Sequence, residues 1–285
     1  MKLVMTLLCR NEEDVVEANI AFHLHQGVDF VIATDNASVD GTTAILEKFQ
    51  RQGRLHLIHE SEHNHDQAVW VTRMARLAAV EYGADWVIEN DADEFWVPAE
   101  GSLRHSLTSV PKGIDVLRVP RVNFLPRPNS HHLPFYERMT VRERVSRNRR
   151  GRPLPPKICH RAYPDVSVGD GNHKATRSGG LMPTTDQHPL EILHFPMRSY
   201  PQFLNKIRQG VEAAERNARL TPDICGNWRF LYREYYLRGR LFDYYQEHVL
   251  DDQAVAEGIR EGRLVADERL LEWMREIDAC QSDPL

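Results

Sequence analysis

Four short apolar runs alternate with amphipathic stretches in the first 90 residues, and that alternation leaves few folds open. Residues 2–9 are an apolar run ended by the polar turn Arg10-Asn11-Glu12. From Glu12 to Gln26, Val15, Val16, Ile20, Phe22 and Leu24 recur with helical spacing. Residues 30–34 read as a second strand, closed by the turn formers Asp35-Asn36-Ala37-Ser38-Val39-Asp40-Gly41. Residues 42–52 read as a helix stopped by Gly53, 55–59 as a third strand, 66–82 as a helix closed by Gly83, and 86–88 as a fourth strand. This succession predicts the α/β class, a mostly parallel sheet with helices on both faces.

The pattern loosens after residue 100. Strands are expected at 116–119, 157–163 and 190–195, and residues 126–156 read as an irregular insertion with at most a short strand pair. From Pro201 onward helical spacing dominates, in 201–219, 227–248 and 252–278. The expected organisation is therefore one α/β domain over 1–200, carrying the insertion around 126–156, and a C-terminal helical extension over 201–285.

Composition removes several functional classes. With 285 residues and 41% hydrophobic residues the chain can bury an ample core. Lys plus Arg is 36 and Asp plus Glu is 41, a net charge of −5 that gives nucleic acid no general footing. The N-terminal apolar run is short and reads as a buried strand rather than a signal peptide. No run approaches the about 18 apolar residues of a membrane span. Cys9, Cys159, Cys225 and Cys280 are far apart and form no CxxC, which fits reduced thiols in a cytoplasm.

An open parallel sheet binds ligands at the carboxyl ends of its strands. Arg10-Asn11-Glu12, Asp35 to Gly41, Glu60 to Gln67 and Asn90-Asp91-Ala92-Asp93-Glu94-Phe95 all fall there. Carboxylates gathered at one rim repel each other unless a cation or donor groups offset them. A divalent metal is the natural partner, and hard oxygen ligands favour Mg²⁺ or Mn²⁺. With 19 Asp in the chain, one D-x-D triplet arises by chance; its place directly after an apolar strand gives Asp91-Ala92-Asp93 its weight, and a solvated strand-end turn is the plain alternative. No GxGxxG follows the first strand, and neither GxxxxGK[ST] nor GxSxG is present.

Arg10-Asn11-Glu12-Glu13, Thr34 to Thr42 and Asp85 to Phe95, in that order and spacing, resemble the family 2-like glycosyltransferases of the GT-A fold. Leu193-His194-Phe195-Pro196-Met197-Arg198-Ser199-Tyr200, with Phe203 and Lys206, is similar to a later segment of the bacterial branch with a D-x-D-E-F motif. The resemblance is best over the first 97 residues or so. It implies a metal-dependent, inverting sugar transfer from a nucleotide-sugar donor, a UDP-sugar, to a glycan, lipid or small-molecule acceptor. On that reading 1–200 is the nucleotide-sugar-binding and catalytic domain. Leu8, Arg10, Asn11 and Glu12 line the nucleotide pocket, Asp35 and Asn36 meet the base or ribose, and Asp66, Gln67 and Arg73 open the next helix toward the nucleotide. Asp91, Ala92 and Asp93 grip diphosphate and metal, with His194 as a further metal ligand and His173 as the alternative. Asp170 is the first choice of base, with Asp165 and Glu137 as alternatives and a Gly-flanked turn as its plain reading. Trp96 is either an acceptor platform or a core residue.

Two other functions fit parts of the pattern. A sugar nucleotidyltransferase would carry a Gly- and Arg/Lys-rich pyrophosphate loop where Arg10-Asn11-Glu12-Glu13 stands. A non-catalytic nucleotide- or glycan-binding module would keep the fold but not need the acidic rim. Residues 138–152 hold seven Arg against one Glu, read either as a solvated loop or as a segment that closes over the donor or grips an anionic acceptor. The expected setting is cytoplasmic, or peripheral at the inner membrane face. The oligomeric state is not readable from the sequence.

Overall fold

Strands β1 (Leu3–Cys9), β2 (Phe30–Asp35), β3 (Leu55–His59) and β4 (Trp86–Asp91) alternate with helices α1 (Val16–His25), α2 (Thr42–Arg51) and α3 (Gln67–Val80), as the periodicity predicts. The computed structural model describes residues 1–62, 64–129, 133–221 and 225–282. The chain continues through β5 (Glu94–Pro98), α4 (Leu103–Thr108), β6 (Val116–Val119), β7 (Arg121–Asn123), α5 (Phe135–Arg138), β8 (Val141–Glu143), β9 (Lys157–Arg161), β10 (Val166–Val168), β11 (Ala175–Arg177), β12 (Thr184–Thr185) and β13 (Leu190–His194). Helices α6 (Tyr200–Arg216), α7 (Gly226–Leu231), α8 (Leu241–His248) and α9 (Asp252–Arg260), strand β14 (Leu264–Ala266) and helix α10 (Arg269–Ser282) complete it.

The residues fall into two compact units. The first holds 1–62, 66–121 and 155–193; the second holds 122–154 and the chain from 194 onward, with a few residues near 65. Of the segment 126–156, expected as an insertion in the first domain, the residues through Leu154 group with the C-terminal helices, and 155–156 belong to the first unit.

The first unit is built on a seven-stranded sheet in the order β12-β6-β9-β4-β1-β2-β3. Strands β3, β2, β1 and β4 run parallel, and β9 enters antiparallel between β4 and β6. This is the mostly parallel α/β sheet that the sequence predicts. Side chains alternate across it. Val4, Ile32 and Val87 pack with Val71, Met74, Ala75 and Ala78 of α3 on one face. On the other, Asn90 bonds Asn19 of α1. Both faces are therefore covered, which explains the continuous apolar runs of the strands.

The second unit departs from its sequence reading. Within 126–156, β8 pairs with β14 more than 100 residues later rather than with a local partner. The expected helix 227–248 breaks after a π-turn at Tyr232–Tyr236, where Gly239 takes φ +68°. The expected helix 252–278 is interrupted by Gly262 at φ +74° and by β14. Its core is aromatic, with Phe203, Ile207, Leu231, Leu241 and Tyr245 buried. Among the described residues no helix is long and apolar enough to cross a membrane.

Ile88 is fully buried in β4, the strand that carries the acidic turn. Ile88→Ala is expected to cost about 2–5 kcal/mol, read as a lowered urea midpoint. A loss below about 1 kcal/mol would show that β4 is not in a close-packed core.

Candidate active site

The carboxyl ends of β1, β2 and β4 lie side by side, with Leu8 opposite both Thr34 and Asp91. The loops after β1 and β2 brace each other. Asn11, in the left-handed region at φ +54°, accepts through Oδ1 from the Val39 N–H at 2.8 Å and donates its own N–H to Ser38 Oγ at 3.0 Å. The Glu12 N–H donates to Thr42 Oγ1 at 2.8 Å, Glu13 Oε2 accepts from the Gly41 N–H at 2.6 Å, and Arg10 donates to the Asn36 carbonyl.

Asp35, expected at the base or ribose, is 2% exposed. Its Oδ1 accepts from the Ser38 N–H and its Oδ2 from Thr43 Oγ1, so in this structure it shapes its own loop. Asn36 is also buried, and its Nδ2 donates to the carbonyls of Glu60 and Glu62. Arg73 of α3 pairs with Glu60 at 3.4 Å. The Asp66 carbonyl accepts from the first turn of α3, and Gln67 Oε1 accepts from the Gly171 N–H at 3.0 Å, tying α3 to the loop 169–173.

The acidic turn is held from below by a buried polar network. Asn19 Nδ2 donates to the carbonyls of Ala92 at 3.0 Å and Glu94 at 2.8 Å, on either side of Asp93. Asn19 Oδ1 accepts from Asn90 Nδ2, and Asn90 Oδ1 accepts from Trp96 Nε1. His23 Nε2 accepts from the Trp96 N–H at 3.2 Å, while Nδ1 faces the Asn19 carbonyl at 2.7 Å and so carries the ring's proton. Of the two readings left open for Trp96, its burial fits the core one. It is fully buried, both of its N–H groups are spent inside the network, and its ring is core rather than an acceptor platform.

A cation meets the acidic turn from the other side. Lys157 of β9, its side chain 2% exposed, pairs with Asp91 Oδ2 and stands 3.5 Å from Glu94 Oε1. Arg121 pairs with the same Glu94 oxygen at 2.8 Å. Asn172 Nδ2 donates to Asp91 Oδ1 at 3.1 Å. Burial pushes the Asp91 carboxyl up and Asp93 adds to it. The charge and hydrogen bond of Lys157, with Arg121, outweigh both and hold it below the ordinary carboxylate range. Two buried oxygens of this cluster, Glu94 Oε2 and Asn172 Oδ1, have no hydrogen-bond partner. Unsatisfied buried acceptors are rare, and a water, a cation or a donor group would complete these two.

The two candidate histidines have different partners. His173 belongs to the unit of Asp91; its Nδ1 faces the Pro156 carbonyl at 2.7 Å, which leaves Nε2 as a lone pair. Burial, and then the charge of Lys157, push its pKa down to about 4, so the ring is neutral. Its Nε2 lies against Gly171, where an added Cβ would come within 2.6 Å. His194 falls in the second unit, with Nδ1 2.7 Å from Asn123 Oδ1. Among the base candidates, Asp170 opens the short turn Asp170–Asn172 beside this cluster. Asp165 is spent on Ser178, Gly179 and Arg177, and Glu137 sits in α5 of the second unit.

Lys157, Asn172, Asn19 and Arg121 are absent from the sequence reading. A faint signal existed for two of them. Lys157 is one of only six lysines in an Arg-rich chain, and Asn19 interrupts the apolar stripe of a helix, where Asn is a poor helix former.

The sequence model of glycosyltransferase family 92 matches residues 8–163, more than half of the 285 residues. The chain belongs to glycosyltransferase family 92. That agrees with the expected enzyme class, while the match names family 92 and not the family 2-like branch. No curated protein sequence matches the chain. Among solved structures it is similar to S. aureus TarS 1-349 in complex with UDP, at 14% identity over 82% of this chain and 72% of that one, with a TM-score of 0.45. The same fragment in complex with UDP-GlcNAc gives 13% identity, 84% and 75% coverage, and 0.43. Glucosyl-3-phosphoglycerate synthase from Mycobacterium tuberculosis, in complex with Mg²⁺ and UDP, gives 20% identity, 42% and 43% coverage, and 0.30.

The network under the turn contains a histidine that burial pushes down to about 4. Its folded pKa lies below the unfolded value near 6.5, so the unfolded chain binds the extra proton. The stability it contributes is present above about pH 6.5 and falls by about 3 kcal/mol toward pH 4. Urea midpoints across that window are expected to drop more steeply for the natural protein than for His23→Gln. Equal slopes would remove the imidazole as the cause.

Proposed function

We propose that this family 92 chain moves a sugar from a nucleotide-sugar donor, a UDP-sugar, to a hydroxyl of a glycan, lipid or small-molecule acceptor, with a divalent metal. The observation that carries the reading is the acidic turn at the end of β4. Asp91 is held in its charged form there by Lys157, next to Asp93 and Glu94.

The donor set suits a hard cation shared with a substrate. Among the described residues no group of three or more His, Cys, Asp and Glu side chains is arranged as a metal cage. Mg²⁺ and similar ions are commonly held by one or two carboxylates plus substrate phosphates, which is the role proposed for Asp91 and Asp93. When bound, the metal offsets the negative charge of the departing diphosphate as a Lewis acid. His173, a neutral imidazole with Nδ1 turned to the Pro156 carbonyl, and His194 are the two groups proposed as the further ligand.

Lys157 adds a fixed positive charge on the same side. The acceptor oxygen bonds to the anomeric carbon, the bond to the diphosphate breaks, and the diphosphate leaves with the electron pair. The hydroxyl proton passes to a base, for which Asp170 is the proposed group, and a single displacement of this kind inverts the anomeric centre. The loops after β1 and β2, with Leu8, Arg10, Asn11, Glu12, Asp35 and Asn36, form the proposed nucleotide wall. In it Asp35 and Asn36 act by shaping the backbone.

Asp91→Asn and Asp93→Asn are each expected to lower turnover of a UDP-sugar on the order of 100-fold and to abolish metal-dependent UDP binding by calorimetry. Full activity and binding in both variants would remove the site. Because no cage precedes the substrate, Mn²⁺ titrated alone is expected to give no saturable heat, and Mn²⁺ with UDP to give one. A tight site for Mn²⁺ alone would contradict the shared-ligand reading.

A further inference from the structure

Residues 144–152 hold five arginines, Arg144, Arg147, Arg149, Arg150 and Arg152, and no acidic residue. All five are exposed, and none has a carboxylate partner among the described residues. That sets them apart in a chain where Arg73, Arg104, Arg118, Arg121, Arg127 and Arg142 are all paired with acids. A net charge of −5 gives the whole molecule no attraction for anions, so these charges act locally.

The segment is a built hairpin. Asn148 Oδ1 accepts from the N–H groups of Arg150 at 2.9 Å and Arg152 at 3.2 Å, the Asn148 N–H donates to the Arg152 carbonyl at 2.7 Å, and Gly151 closes the turn at φ +72°. Arg147 bridges to Pro153 across it. Ser146 is buried and accepts the Asn123 N–H through Oγ at 2.7 Å, which anchors the hairpin and sends its neighbours Val145 and Arg147 outward. The Arg149 guanidinium lies 3.6 Å over the Phe230 ring, fixing the tip against α7. Arg144 spends its Nε on the Gly262 carbonyl and Arg147 one NH on the Gly151 carbonyl. The side chains of Arg150 and Arg152 make no such contact.

We propose that this hairpin docks the protein on an anionic lipid bilayer. The arginines supply the charge complementarity. Val145, 56% exposed between Arg144 and Arg147, supplies the apolar side chain that distinguishes an interfacial segment from a site for a soluble polyanion. The same unit also exposes Leu237 and Phe242. This inference rests on the second unit alone and is independent of the sugar-transfer reading.

The test is cosedimentation of the full chain with phosphatidylcholine vesicles, with and without about one-third phosphatidylglycerol, at low and physiological salt. Binding is expected only with phosphatidylglycerol, weakening as salt rises. Each arginine near such a surface is worth about fivefold in binding, so Arg150→Gln with Arg152→Gln is expected to weaken it about 25-fold, with an unchanged thermal midpoint because neither side chain packs. Val145→Ser is expected to weaken vesicle binding and leave heparin binding unchanged. No vesicle binding, an arginine pair that does not matter, or a Val145→Ser variant that binds vesicles like the natural protein would each overturn the proposal. Heparin binding without vesicle binding would transfer the hairpin to soluble polyanions.

Discussion

The buried ammonium of Lys157 is the interaction on which the rest of the site depends. Strand β4 ends in a run of carboxylates, Asp91, Asp93 and Glu94, of which the last two are buried. Like charges brought this close to a low-dielectric interior would protonate or push apart. Lys157 and Arg121 prevent that, one reaching Asp91 and both reaching Glu94. Removing one partner from such a set leaves an uncompensated buried charge, typically costing about 3–5 kcal/mol. The antiparallel entry of β9 beside β4 follows the same logic, because β9 is the strand that delivers Lys157.

Below the rim, polar groups are placed where a simple α/β core would be apolar. Thr6 Oγ1 donates to Glu89 Oε2 at 2.5 Å, and His160 Nε2 lies 2.9 Å from Glu89 Oε1, all three residues fully or almost fully buried. His160 Nδ1 faces the Arg161 carbonyl at 2.9 Å, so both ring nitrogens have a partner inside the sheet. On the opposite face, Asn19, Asn90, Trp96 and His23 clamp the backbone on both sides of Asp93. Networks of this kind are costly when partly satisfied and rigid when complete. Strand β4 and the acidic turn that follows it are therefore held from both faces of the sheet, and the diphosphate site proposed there gains from that rigidity.

The sheet was legible because its strands are buried on both sides and read as apolar runs between strong turn signals. The acidic turn was legible for the same reason, since Asp91 ends such a run. What closes around it was not. Lys157 and Asn172 reach Asp91 across 66 and 81 residues of chain, and no local spacing records a contact of that length. Trp96 stayed open because an aromatic residue beside an acidic turn suits either a platform or a core, and only the complete burial of β5 decides it. The segment 126–156 looked irregular because β8 finds its partner in β14, far along the chain. The long helices expected in the tail were broken by glycines at positive φ, which helical spacing alone does not weigh.

We propose that the carboxylates at the end of β4 receive a metal-bound nucleotide diphosphate while Lys157 stays beside them. A crystal structure with UDP and Mn²⁺ tests it most directly. The account predicts a metal within about 2.0–2.3 Å of a carboxylate oxygen of Asp91 or Asp93 and of the diphosphate oxygens, as octahedral oxygen coordination requires. Metal and diphosphate bound away from the end of β4, with the Asp91–Lys157 pair untouched, would contradict it.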